Sequence, residues 1–80
     1  MSHEDEVTDR LIRMANQIGT FFASQPEAGA AAGVSEHINK FWEPRMRERL
    51  LDLIASGQDG FDPIVLKAAE AVKRPARVKP

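Results

Sequence analysis

His37 is the one histidine outside the N-terminal tail, where His3 is the other, and it is the first residue to test for acid–base chemistry. It finds no nucleophile to serve. Ser24, Ser35 and Ser56 each fall at an expected helix end, where capping a backbone amide explains them. There is no Cys, which excludes disulfides, thiolate zinc sites, iron–sulfur ligation and Cys nucleophiles. A metal held by nitrogen would need both His and added carboxylates, and no His-Glu-x-x-His spacing exists. Asp59-Gly60-Phe61-Asp62 has the look of a calcium loop but lacks the further acidic ligands and the closing Glu, so it reads as a capped turn. No catalytic, cofactor-binding or metal-ligating residue is assigned.

The chemistry that remains is recognition. His37-Ile-Asn-Lys40-Phe41-Trp42-Glu-Pro44-Arg45-Met46-Arg47 places the only Trp, a Phe, a Met and a set of cations at a proline-marked helix junction. Aromatic residues, Met and Arg are the types enriched where proteins meet. Phe21-Phe22 and Phe41-Trp42 are adjacent pairs, so on a helix the two members point about 100° apart. A wide apolar stripe can take both. In so small a bundle, burying all four rings internally is difficult, which points to a second protein; the off-stripe Leu51 and Leu66 point the same way. Arg45, Arg47 and Arg49 cannot share one face. Glu43 can answer Arg47 and Asp52 can answer Arg49, which makes a solvated face; phosphate or carboxylate recognition on a partner is the sharper alternative. His37 is read either as a hydrogen-bonded helix residue or as an interface donor.

These candidates must be positioned by a small all-α fold. Eighty residues make one domain, and Leu, Ile, Val and Phe supply about a quarter of them, above the roughly 20% of disordered chains. Chains of this size often need a disulfide, a metal or a partner. With the first two set aside, the expected staple is another chain. The net charge of −1 gives no whole-chain attraction for nucleic acid. The ends are polarised: Glu4, Asp5, Glu6 and Asp9 are acidic, while Lys73, Arg74, Arg77 and Lys79 make a basic, proline-containing tail that is either solvated or docks on an opposite charge. No cationic-then-apolar leader and no membrane-length apolar run is present, so the cytoplasm is the expected compartment.

Val7, Leu11, Met14, Ile18 and Phe21 or Phe22 recur at helical spacing and predict a first helix over about 5–23. The second runs over 27–41, with Gly29 and Gly33 delaying its firm start toward Gly33; Glu36 and Lys40 pair on its outer side. The small run Ala28 to Gly33 either admits a close helix or is a loop. Pro44 opens a third helix on the stripe Met46, Leu50, Leu53 and Ile54, and Ser56-Gly57 ends it. Asp62 caps a short fourth, opened by Pro63 and carried by Ile64, Val65, Ala68, Ala69 and Val72 to about Lys73. The expected architecture is a bundle of three to four short helices over about 5–73, with extended tails and a basic tail at 74–80.

With these residues in hand, the chain resembles a known family, the delta subunit of the cytoplasmic, NAD-dependent, molybdenum-containing formate dehydrogenases. The likeness rests on Arg10-Leu-Ile-Arg-Met-Ala-Asn-Gln-Ile-Gly-Thr-Phe-Phe22, on Gly33-Val-Ser-Glu-His-Ile-Asn-Lys-Phe-Trp-Glu-Pro-Arg-Met-Arg47, on Leu50-Leu51 and on the turn Gly60-Phe-Asp-Pro-Ile-Val65. It covers about residues 8–72. Asn39 departs from it, the family often having a basic residue there. The resemblance implies a non-catalytic subunit of a multi-subunit enzyme that oxidises formate to carbon dioxide at a molybdenum bis-pterin dinucleotide and passes electrons through iron–sulfur clusters and FMN to NAD. It implies that none of these cofactors is bound by this chain. It implies docking on the large molybdenum subunit, in support of assembly, stability or cofactor retention. Met14, Asn16, Gln17, Phe21, Phe22, His37, Lys40, Phe41, Trp42, Pro44, Arg45, Met46 and Arg47 are the expected partner-binding residues. Two other readings stay open at this stage: an independent helical regulator of the homodimeric nucleic-acid-binding or antitoxin-like kind, and a transient molybdenum-cofactor chaperone. Neither a membrane nor, in the leading reading, a nucleic acid is an expected partner.

Overall fold

The computed structural model describes residues 3–25 and 27–74, with residues 3–5, 27 and 28 described by backbone alone. Residues 1–2 and most of the expected basic tail (75–80) therefore lie outside the described residues. Four helices follow one another: α1 (His3–Phe22), α2 (Glu27–Phe41), α3 (Pro44–Ala55) and α4 (Pro63–Ala69). Among the described residues there is no strand, as the missing period-two pattern predicts.

The core gathers Leu11 and Ala15 of α1, Val34 and Ile38 of α2, Leu50 of α3, and Val65 and Ala68 of α4, closed by Trp42, Phe61 and Val72 from the connections. On α1 the core-facing line runs through buried Leu11 and Ala15 and partly buried Ile18 and Phe22, at steps of four and three. This line lies one step beside part of the expected stripe, so Met14 and Phe21 turn outward instead.

Two glycines explain the close packing of α1. A Cβ on Gly19 would stand 2.8 Å from a methyl of Ile64, and one on Gly33 would stand 2.5 Å from the Phe22 ring. The Phe22 ring is thus seated on the backbone of α2. α2 is helical from Glu27 and does not wait for Gly33; Ala30 and Ala31 of the small run are buried, and Pro63, Ile64 and Lys67 of α4 lie beside them.

The breaks follow local chemistry. Pro44 stands at N1 of α3 behind extended Glu43, and Gly57 at φ +86° ends it. Pro63 opens α4 in the same way. Asp62 has the extended N-cap backbone, but its carboxylate makes no cap bond. Its N–H donates to Asn16 Oδ1 instead, at 2.9 Å. α4 ends at Ala69, short of the expected Lys73, because the chain turns there and is taken up by α2 and α3.

Polar side chains hold α4 at three points. Asn16 Nδ2 donates to Gly60 O at 2.8 Å, before the helix. Buried Ser35 does not cap a helix end: its hydroxyl lies 2.8 Å from Ala68 O and 3.0 Å from Ala31 O, within donating reach of both. Asn39 Nδ2 donates to Ala71 O at 3.1 Å and its Oδ1 accepts from Lys73 N at 2.8 Å, just after the helix. Among the described residues no buried side-chain polar atom lacks a partner.

Candidate docking surface

Both aromatic doublets split, as adjacent helical positions must. Phe22 packs on the core and Phe21 is 71% exposed; Trp42 is buried at 7% and Phe41 is 65% exposed. The outward members belong to one chain of rings across α1 and α2. Phe21 meets Phe22 edge-on at 5.0 Å between centroids, Phe22 meets His37 at 6.5 Å, and His37 meets Phe41 at 4.8 Å. Lys40 Nζ lies 5.7 Å from the centre of the Phe41 ring.

An open groove of about 430 Å³ runs beside this chain of rings, lined by Met14, Gln17, Ile18, Phe21, Phe22, His37 and Trp42. None of these side chains carries a formal negative charge. Ile18 was not among the sequence candidates; its place on the stripe next to Met14 and Phe21 was the available signal. The structure thus brings together Met14, Gln17, Phe21, Phe22, His37, Phe41 and Trp42, with Lys40 beside them.

The other candidates lie elsewhere. Asn16 is turned to the Gly60–Asp62 turn. Pro44 is exposed at the start of α3. Arg45 and Met46 line a separate groove along α3 with Glu48, Arg49, Asp52, Leu53 and Ser56. Arg47 does not answer Glu43 with its side chain. Its Nη1 donates to Trp42 O at 2.9 Å and its Nε to Lys73 O at 3.1 Å. Asp52 pairs with Arg74, at 2.9 Å, instead of Arg49. Leu51 packs against the core, so of the two off-stripe leucines only Leu66, 43% exposed, faces outward.

This surface sets two exposed aromatic rings beside an open groove whose lining carries no formal negative charge. Among the described residues no three His, Asp or Glu side chains converge as a metal would require. The Asp59–Asp62 segment is a turn, with Gly60 at φ +106° and Phe61 buried beneath it. No described helix is long and apolar enough to cross a membrane.

Comparison with known proteins agrees with the resemblance drawn from the motifs. Among curated proteins none matches the chain. The family described as the NADH-dependent formate dehydrogenase delta subunit, FdsD, matches residues 10–69 and so spans all of α2, α3 and α4 and most of α1. The chain belongs to the NADH-dependent formate dehydrogenase delta subunit family.

Proposed function

We propose that the chain is a non-catalytic accessory subunit that docks on the large, molybdenum-containing subunit of formate dehydrogenase through the Phe21–Phe41 face, and there supports assembly, stability or cofactor retention in the cytoplasm. The observation that carries this is the outward turn of Phe21 and Phe41 at the two ends of one ring chain. Burying a Phe side chain contributes about 1.5–3 kcal/mol. Two of them beside an apolar groove have the make-up of a binding hot spot. The redox cofactors of the complex (molybdenum bis-pterin dinucleotide, iron–sulfur clusters, FMN and bound NAD) belong, in this reading, to the other subunits. A chain without Cys supplies no thiolate for a cluster.

The test is co-expression of the complex with Phe21→Ser/Phe41→Ser in this chain. Both rings face outward, so helicity and thermal stability of the chain should be kept, while its recovery with the large subunit should fall. Recovery of the double variant at wild-type stoichiometry, with normal formate-dependent NAD reduction, would overturn the reading. Recovery of the wild-type chain alone or with nucleic acid would do so as well.

A further inference from the structure

The turn between α3 and α4 is fixed at two points, with Asp59 between them. Upstream, the Gln58 N–H donates to Leu53 O at 3.0 Å as α3 ends. Downstream, Asn16 Nδ2 donates to Gly60 O at 2.8 Å and Asn16 Oδ1 accepts from the Asp62 N–H at 2.9 Å. Phe61 is buried beneath the same segment. Asp59 and Gly60 are themselves exposed and border an open groove with Asp9, Ile12, Arg13 and Gln58. Among the described residues the Gly60 N–H donates to no backbone carbonyl.

A carboxyl group beside a glycine amide can close a ring. Gly60 N attacks Asp59 Cγ, one water leaves, and a five-membered succinimide forms. Water then adds to either carbonyl of the ring. One opening restores the aspartate. The other carries the main chain through Cγ and leaves the former main-chain carbonyl carbon as a free carboxylate, which is isoaspartate. Water is the only co-reactant, and nothing is oxidised or reduced. Glycine favours the step because it has no Cβ to hinder the approach of its nitrogen.

We propose that Asp59 is a site of spontaneous backbone modification, gated by the Asn16 hydrogen bonds to Gly60 and Asp62. Ring closure turns the Asp59–Gly60 peptide, and the pinned Gly60 carbonyl opposes that motion. The isomerised chain gains one backbone carbon between Gln58 and Gly60, both of which are held by hydrogen bonds. The added length loosens the Asn16 clamp or lifts Phe61 from the core, so the modified chain is the less stable one. The groove at this turn shares no lining residue with the one beside the Phe21–Phe41 face, so the inference does not depend on the docking reading.

The experiment ages full-length wild type, Asn16→Ala, Asn39→Ala and Asp59→Glu at neutral pH under native conditions, with helicity recorded, beside wild type in urea. Peptide mapping reads the fraction of succinimide and isoaspartate at Asp59. Native wild type should convert there, more slowly than in urea. Asn16→Ala should convert about fivefold faster or more, the factor by which losing two hydrogen bonds favours the opened turn. Asn39→Ala removes the matching pair at the far end of α4 and should stay close to wild type. Asp59→Glu should give no product, because its ring would need a sixth member. Product in urea, with none in native wild type or Asn16→Ala, would overturn the site. Equal acceleration by both Asn variants would overturn the gate, since general destabilisation would then explain the rate. Aged wild type that keeps its Tm and its Asp62 amide protection after conversion would overturn the structural consequence.

Discussion

Asn16 and Asn39 make the same pair of hydrogen bonds at opposite ends of α4. Each amide donates to the carbonyl of one residue and accepts from the N–H two residues later: Gly60 and Asp62 for Asn16, Ala71 and Lys73 for Asn39. Each side chain thereby completes a segment of backbone that has just left, or not yet entered, a helix. Two net hydrogen bonds of about 0.5–1.5 kcal/mol each set the scale. Asn16→Ala and Asn39→Ala should each lower stability by about 1–2 kcal/mol, a fall of roughly 4–16 °C in Tm for a domain this small. Hydrogen exchange gives the sharper check. Asn39→Ala should expose the Lys73 amide and leave the Asp62 amide protected, and Asn16→Ala should do the reverse. Loss of protection at both amides in either variant would refute independent clamps.

Two glycines on the same helix should respond to alanine with opposite sign. A Cβ on Gly29 meets nothing closer than the Gln25 side chain at 4.0 Å, so Gly29→Ala should stabilise the chain by about 0.5–1 kcal/mol through helix propensity. A Cβ on Gly33 enters the Phe22 ring at 2.5 Å. The Phe22 ring is partly buried against the core and must shift to admit the methyl, so Gly33→Ala should destabilise by about 1–3 kcal/mol and move Phe22 relative to His37. Thermal melts of the two variants decide it; a stabilising Gly33→Ala would mean the α1–α2 contact is looser than it is here.

Chain punctuation was legible in the sequence because it rests on backbone chemistry. Pro44, Gly57 and Pro63 each act at the position where they stand. The splitting of the doublets was legible too, since 100° per residue forces it. Which member of each pair turns inward was not, because that depends on how the helices cross. The expected α1 stripe included Met14, yet the Gly19–Ile64 and Gly33–Phe22 contacts rotate Ala15 and Phe22 inward and Met14 outward. Polar roles were the least legible. Ser35, Asn16, Asn39 and Arg47 all bind backbone carbonyls, and every residue type offers a carbonyl. Charge pairing along a helix, by contrast, suggested Glu43 for Arg47 and Arg49 for Asp52, and tertiary partners replaced both.

The doublets themselves give a paired prediction. Trp42→Ala removes a buried core ring and should cost about 3–5 kcal/mol, enough to unfold much of a small domain; Phe22→Ala removes a partly buried ring packed against the core and should cost about 1.5–3 kcal/mol. Phe21→Ala and Phe41→Ala remove mostly exposed rings and should cost about 1 kcal/mol or less, the remainder being the lost contacts to Phe22 and His37. Urea titrations followed by circular dichroism separate the two classes. A Trp42→Ala chain as stable as wild type would place that ring outside the fold.

Arg47 ties three parts of the chain together, since it stands on α3, binds Trp42 O at the α2–α3 junction, and binds Lys73 O beyond α4. Two charge-assisted bonds to carbonyls are stronger than their neutral equivalents, and both acceptors belong to segments with few helical bonds of their own. Arg47→Met keeps much of the side-chain stem and removes both donors; it should destabilise by about 2–3 kcal/mol and loosen α3 and residues 71–74 together. Arg47→Lys can reach one carbonyl at a time and should fall between. Glu43→Gln should have almost no effect, because the Arg47 side chain bonds carbonyls and not the Glu43 carboxylate. If Glu43→Gln matched Arg47→Met in cost, the helical ion pair would be the operative contact and the carbonyl brace would be refuted.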